Sequence, residues 1–128
     1  MEIRDASFWA ELAAAASRDD ALRAKCEHAR GCAFSVMVGE ARHLLEFHRG
    51  RLAVIRPPDL RGASFSIVGP ADEWEGVLTG ATPYARAINV LHGRLRVEGD
   101  ALALTWMTPA LWQLWRISST LLGRTTHG

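Results

Sequence analysis

The spacing of apolar residues changes repeatedly along this chain, and each change marks the edge of an element. Phe8, Trp9, Leu12 and Ala16 recur at helical spacing, which predicts an amphipathic helix of about three turns. Ser17-Arg18-Asp19-Asp20 reads as a capping box that restarts the helix at a new angle. Leu22, Cys26 and Ala29 then line one face, and Gly31 ends it. From Ala33 the period falls to two. Strands are expected at Ala33 to Val38, Ala41 to His48 and Arg51 to Ile55, separated by Gly39-Glu40 and Arg49-Gly50 and stopped by Pro57-Pro58. A loop from Pro58 to Gly62 leads to a fourth strand, Ala63 to Val68, with Phe65 and Ile67 on its core face. Connections this short favour antiparallel neighbours, so the four strands are expected to form a meander with one face left for helices.

Helical spacing returns after Gly69-Pro70, where Trp74, Val77 and Leu78 form a stripe that Gly80 closes. Thr82-Pro83 supplies a cap and a first-turn proline for another helix, with Tyr84, Ile88 and Leu91 as its stripe. In Arg94 to Glu98 the alternation is again that of a half-buried strand, with Leu95 and Val97 on one face. Gly93 is expected to close the preceding helix in the left-handed conformation, and Gly99 to turn the chain sharply. Asp100 can cap a segment beginning at Ala101 and running to Met107. Thr108-Pro109 repeats the cap-plus-proline signal for a final helix to about Leu122. The pattern is that of an α+β unit, and residues 1–128 are expected to form one domain.

Composition narrows the function. The net charge of +1 argues against a nucleic-acid surface built on bulk positive charge. Cys26 and Cys32 have neither C-x-x-C nor zinc spacing, so free thiols in a reducing cytoplasm are expected. Glu2 and Glu11 make the N-terminus a poor secretory signal. Pro109, Gln113 and Arg116 interrupt the most apolar tract, from Ala101 to Leu122, and argue against an integral membrane span.

Candidate chemistry is sparse. His43 and His48 are an odd number of positions apart on one strand, so they face opposite ways and cannot share an ion. No metal spacing, nucleophile elbow or phosphate-binding loop occurs, so no metal, cofactor or catalytic residue is expected. Asp72, Glu73 and Glu75 sit where carboxylates favour a helix N-terminus. Nothing here demands an enzyme. What stands out is apolar excess. Leu111, Trp112, Leu114 and Trp115 span more of a helix than packing onto one sheet requires. Their second side calls for an apolar ligand, a second subunit or a membrane surface.

Three local motifs and the order of elements then point to a family. Gly93-Arg94-Leu95-Arg96-Val97-Glu98-Gly99-Asp100 resembles the G-K-L-K-V-x-G-D signature of the sterol carrier protein 2 family. Asp72-Glu73-Trp74-Glu75-Gly76-Val77-Leu78-Thr79-Gly80 is similar to its D-W-x-x-L-x-x-G helix, and Arg49-Gly50 with the strand Ala63 to Val68 matches its sheet region in spacing. The resemblance runs from about Ala33 to Met107, with Ser64 where many members carry Asp. It implies a five-stranded, mostly antiparallel sheet covered by helices. It also implies an apolar tunnel between sheet and helices for sterols, fatty acids, acyl-CoA or phospholipids, and no catalytic residue.

On this reading the protein binds or transfers a hydrophobic small molecule or lipid. Trp106, Met107, Leu111, Trp112 and Trp115 are the expected lining or gating residues, with Phe47, Ile88 and Leu91 as partners. An enzyme or accessory subunit acting on a hydrophobic molecule in the same cavity is the alternative. A catalytic version needs an inward ionisable group, for which His43, His48 and His92 are the candidates. A third possibility is a homodimer through the C-terminal helix with no ligand.

Overall fold

Three short hairpin-spaced strands and four apolar stripes must bury their faces against one another, and the result is a sheet with helices on one side. The computed structural model describes residues 2–26, 32–48, 51–55, 63–89 and 91–126. The helices are α1 (Ala6–Ser17), α2 (Asp20–Cys26), α3 (Ala71–Thr79), α4 (Tyr84–Ala87) and α5 (Ala101–Thr126). The strands are β1 (Cys32–Val38), β2 (Ala41–His48), β3 (Arg51–Ile55), β4 (Ala63–Gly69) and β5 (Arg96–Gly99). The expected turns at Arg49-Gly50 and Pro57-Pro58, the loop to Gly62, and Ala29 and Gly31 lie outside the described residues. The side chains of Cys26 and Cys32 do so as well. Among the described residues, no helix is long and apolar enough to cross a membrane.

The sheet is five-stranded and mostly antiparallel, in the order β3-β2-β1-β4-β5. Strands β1 to β3 form the expected meander, but β4 does not continue it. It pairs in parallel with the free edge of β1, matching Phe34 with Phe65 and Val36 with Ile67. The packing gives the reason. On the core face, the Phe34 ring lies 5.6 Å from Phe47 on β2 and 5.4 Å from Phe65 on β4, near-parallel to both. Placing β4 beside β1 puts three aromatic side chains in one row across adjacent strands, which pairing with β3 would separate.

That face is covered by helices. Trp9 of α1 stacks on His43 of β2, with ring centres 5.3 Å apart. The Ser17 hydroxyl donates to the Leu52 carbonyl and accepts from the Leu52 amide, fastening the end of α1 to β3. Ser17 is therefore not the cap of the next helix. The Asp19 carboxylate does that work, accepting from the Leu22 amide at 2.8 Å.

Besides β5, which begins at Arg96 and not at Arg94, the second half of the chain departs from expectation at four places. Helix α4 stops at Ala87 and does not reach Leu91, because Asn89 takes over the local hydrogen bonds. Its side chain accepts from Leu91 N and its carbonyl accepts from Gly93 N, both at 2.8 Å. Thr82 does not cap this helix; Pro83 occupies the cap position and Thr82 packs on Gly76. Gly93 is not left-handed. It is glycine because any Cβ there would run into the Ala87 carbonyl. Gly99 does have a positive φ, 100°, as a sharp turn requires.

The fourth departure is the largest. The segment from Ala101 and the helix from Pro109 are one helix of 26 residues, with Pro109 inside it. Asp100 caps it as expected, its Oδ1 accepting from Leu102 N and Ala103 N at 3.0 and 3.2 Å. An interior proline costs a helix about 3 kcal/mol. Burial of Met107 on one side of it, and of Ala110, Leu111 and Leu114 on the other, offsets that cost at about 1.5–3 kcal/mol per large side chain. Thr108, expected as a cap, instead donates its hydroxyl to the Leu104 carbonyl at 2.9 Å.

Candidate functional site

Helix α5 presents Trp112, Trp115, Arg116 and Ser119 along one face, at i, i+3, i+4 and i+7. Opposite this face lie Val77 and Gly80 at the end of α3, and Thr82 to Ala85 at the start of α4. Between them is a mainly apolar groove of about 260 Å³. The two sides are pinned together at one point, where the buried Ser118 hydroxyl donates to the Leu78 carbonyl at 2.7 Å. Gly80 lets α5 approach, since a Cβ there would meet the Ser119 side chain at 3.3 Å.

The deep wall of the groove is aromatic. The Trp115 ring centre is 5.4 Å from Trp74, 5.8 Å from Tyr84 and 6.5 Å from Trp9. The indole N–H of Trp9 donates to the Ile3 carbonyl and that of Trp74 to the Met37 carbonyl, each at 2.8 Å. Trp115 differs: among the described residues its buried Nε1 has no hydrogen-bond partner, and neither has the buried Tyr84 hydroxyl. Trp115 and Tyr84 are only 4% and 8% exposed. Burial pushes the Tyr84 phenol well above its ordinary range, so it stays protonated and able to donate.

The expected site residues divide into three groups. Trp112, 52% exposed, and buried Trp115 line the groove. Phe47, Met107 and Leu111 belong to the core, with Ile88 half-buried against it. Leu91 and Trp106 are exposed, at 82% and 78%, and Trp106 shares an outward ridge of α5 with Leu102, Pro109 and Trp112. Phe8, Trp9, Trp74 and Phe65 are buried in the core cluster that the sheet and helices share. Val77, Tyr84, Arg116 and Ser119 of the groove were not expected.

Of the three candidate histidines, His43 is buried while His48 and His92 are exposed. His43 does not line the groove; burial lowers its pKa, opposed by a hydrogen bond with the Arg4 backbone and the charge of Asp5. Asp72 and Glu73 are held by Arg94, at 2.6 and 3.1 Å, and that guanidinium holds the Asp72 carboxyl below its ordinary range. These are surface ion pairs joining the start of α3 to the approach to β5. Among the described residues, no group of three His, Cys, Asp or Glu side chains is placed to hold a metal ion.

Solved structures share this architecture. A crystal structure of sterol carrier protein 2 superposes with a TM-score of 0.72 at 16% identity, covering 92% of this chain and 98% of that one. A possible sterol carrier protein from Thermus thermophilus gives 0.69 at 17% identity, covering 94% and 90%. A UbiJ-SCP2 ubiquinone synthesis protein gives 0.61 at 19% identity, covering 88% and 93%. No protein-family model matches the chain, and no curated protein matches it. The fold is that of the sterol carrier protein 2 domains.

Proposed function

We propose that this chain, with its sterol carrier protein 2 fold, binds a hydrophobic ligand of the lipid kind and passes it on, holding the apolar part in the groove between α3–α4 and α5. The observation that carries this reading is the groove itself, apolar and walled by Trp112 and Trp115. Its volume of about 260 Å³ is just below the ~300–1,000 Å³ of common small-molecule sites. It therefore takes one end of a long lipid, and a larger share only if the half-exposed Trp112 moves aside. Each buried methylene contributes about 0.8 kcal/mol, against an association cost of about 4 kcal/mol or more. At least about five buried methylenes are then needed before binding is favourable, so short-chain molecules should bind poorly.

The test is to titrate delipidated protein with a long-chain fatty acid, its alcohol and a sterol while following tryptophan emission. We expect a saturable change for at least one of them and a several-fold weaker response in Trp112→Ala. Unchanged emission with all three ligands, together with no lipid in mass spectra of the protein as purified, would sink the proposal. A solution molar mass on the same preparation separates a third outcome: a dimer free of lipid would assign the α5 ridge to self-association.

One neighbour supports a second reading. The UbiJ-SCP2 structure is described as a ubiquinone synthesis protein. By analogy this chain would present a hydrophobic molecule to an enzyme as an accessory subunit. The placement of the histidines favours that over catalysis by the chain itself, since none of His43, His48 and His92 combines burial with a position on the groove.

A further inference from the structure

Two residues lining the groove, Tyr84 and Trp115, each carry a buried polar atom with no partner among the described residues, and both atoms are donors. The Trp115 indole can only donate a hydrogen bond, and the Tyr84 phenol, kept protonated by burial, can donate as well. Buried polar groups are nearly always paired, so two orphans on touching rings in one groove call for an explanation. The neighbouring tryptophans show that the fold can satisfy an indole when it has a carbonyl at hand, as for Trp9 and Trp74.

We infer that the groove selects apolar molecules carrying an uncharged oxygen acceptor, such as a ketone or ester carbonyl, which takes hydrogen bonds from Tyr84 Oη and Trp115 Nε1. This rests on the groove being the ligand site. Neither atom is open to water, so the acceptor reaches them only as the ligand parts the wall, which the half-exposed Trp112 helps to form. A carboxylate is a poorer fit. Among the lining residues the only cation is Arg116, which is exposed, so an anion driven deep would leave water with no buried countercharge. Acids would instead stay at the rim beside Arg116.

The experiment uses three chain-matched probes, 2-nonanone, nonane and nonanoate, with protein carrying ¹⁵N-labelled tryptophan. The indole N–H signal of Trp115, assigned by its loss in Trp115→Phe, reports hydrogen bonding directly. We expect 2-nonanone to move it downfield and nonane to leave it without a downfield shift. Tyr84→Phe and Trp115→Phe should each weaken 2-nonanone at least five-fold and change nonane binding less than two-fold. If ketone and alkane bind alike, and Tyr84→Phe affects neither, the inference fails while the groove remains a ligand site. If nonanoate binds tightest and depends on Arg116 rather than Tyr84, selection is for acids and the inference is wrong. If none of the three binds, the proposed function loses its site and the inference falls with it.

Discussion

Trp74 and Trp115 lie 5.4 Å apart in one aromatic cluster, both almost wholly buried, yet they differ in what their N–H groups meet. Trp74 donates to the Met37 carbonyl; Trp115, which lines the groove, has no partner for its N–H among the described residues. A buried donor left unpaired costs about 1–3 kcal/mol. Within the cluster, then, one buried indole N–H is satisfied and its neighbour is not. The difference teaches that burial alone does not mark a side chain as core. The state of its polar atom separates Trp74, whose N–H ties α3 to β1, from Trp115, whose N–H is left for the ligand acceptor we infer.

The strongest test of that contrast is mutational. Trp9→Ala and Trp74→Ala should each cost about 3–5 kcal/mol, read from urea midpoints at unchanged slope. A matched pair is sharper still. Trp74→Phe loses a hydrogen bond as well as ring area and should cost about 1–3 kcal/mol, whereas Trp115→Phe deletes a donor that had no partner and should cost less than about 1 kcal/mol. Equal costs for the two would mean that Trp115 is satisfied in solution, and the comparison would collapse.

Local patterns announced most of the fold because local physics makes it. The hairpin strands, the stripe of Trp74, Val77 and Leu78, and the Asp100 cap all follow from neighbours in sequence. What the pattern misread was decided across the fold. The position of β4 follows from the row of Phe47, Phe34 and Phe65, which no local spacing reveals. Pro109 carries the sequence signal of a helix start and was overruled by the burial on either side of it. In the site, Trp112 and Trp115 were visible as apolar excess. Arg116 and Ser119 share their face at i+4 and i+7, a mixed stripe that a search for apolar residues alone passes over. Tyr84 read as core, and only its unpaired hydroxyl sets it apart.

A smaller effect concerns His43, which stacks on Trp9 at the other end of the same cluster and whose buried Nε2 has no partner among the described residues. Burial depresses its pKa below the ordinary 6.5. Below that value the unfolded chain binds a proton that the folded chain resists, so stability is full above about pH 6.5 and falls as the pH drops through the window down to the folded-state pKa. Urea midpoints at successive pH values should show this decline. His43→Phe keeps an aromatic ring against Trp9 and should flatten it. A slope that persists in His43→Phe would assign the decline to other groups.

The smallest change is expected on the far side of α5. Trp106 and Leu102 are 78% and 66% exposed on the outward ridge, where removing a side chain opens no cavity. Trp106→Ala and Leu102→Ala should therefore shift stability by no more than about 0.5 kcal/mol, against about 2–5 kcal/mol for Leu111→Ala on the inward face of the same helix. The ordering runs from paired buried indole, through unpaired buried indole, to exposed indole. A loss above about 1 kcal/mol for Trp106→Ala would mean that the ridge is covered in solution. Dependence of that loss on protein concentration would then show that a second copy covers it, because linked association makes apparent stability follow mass action.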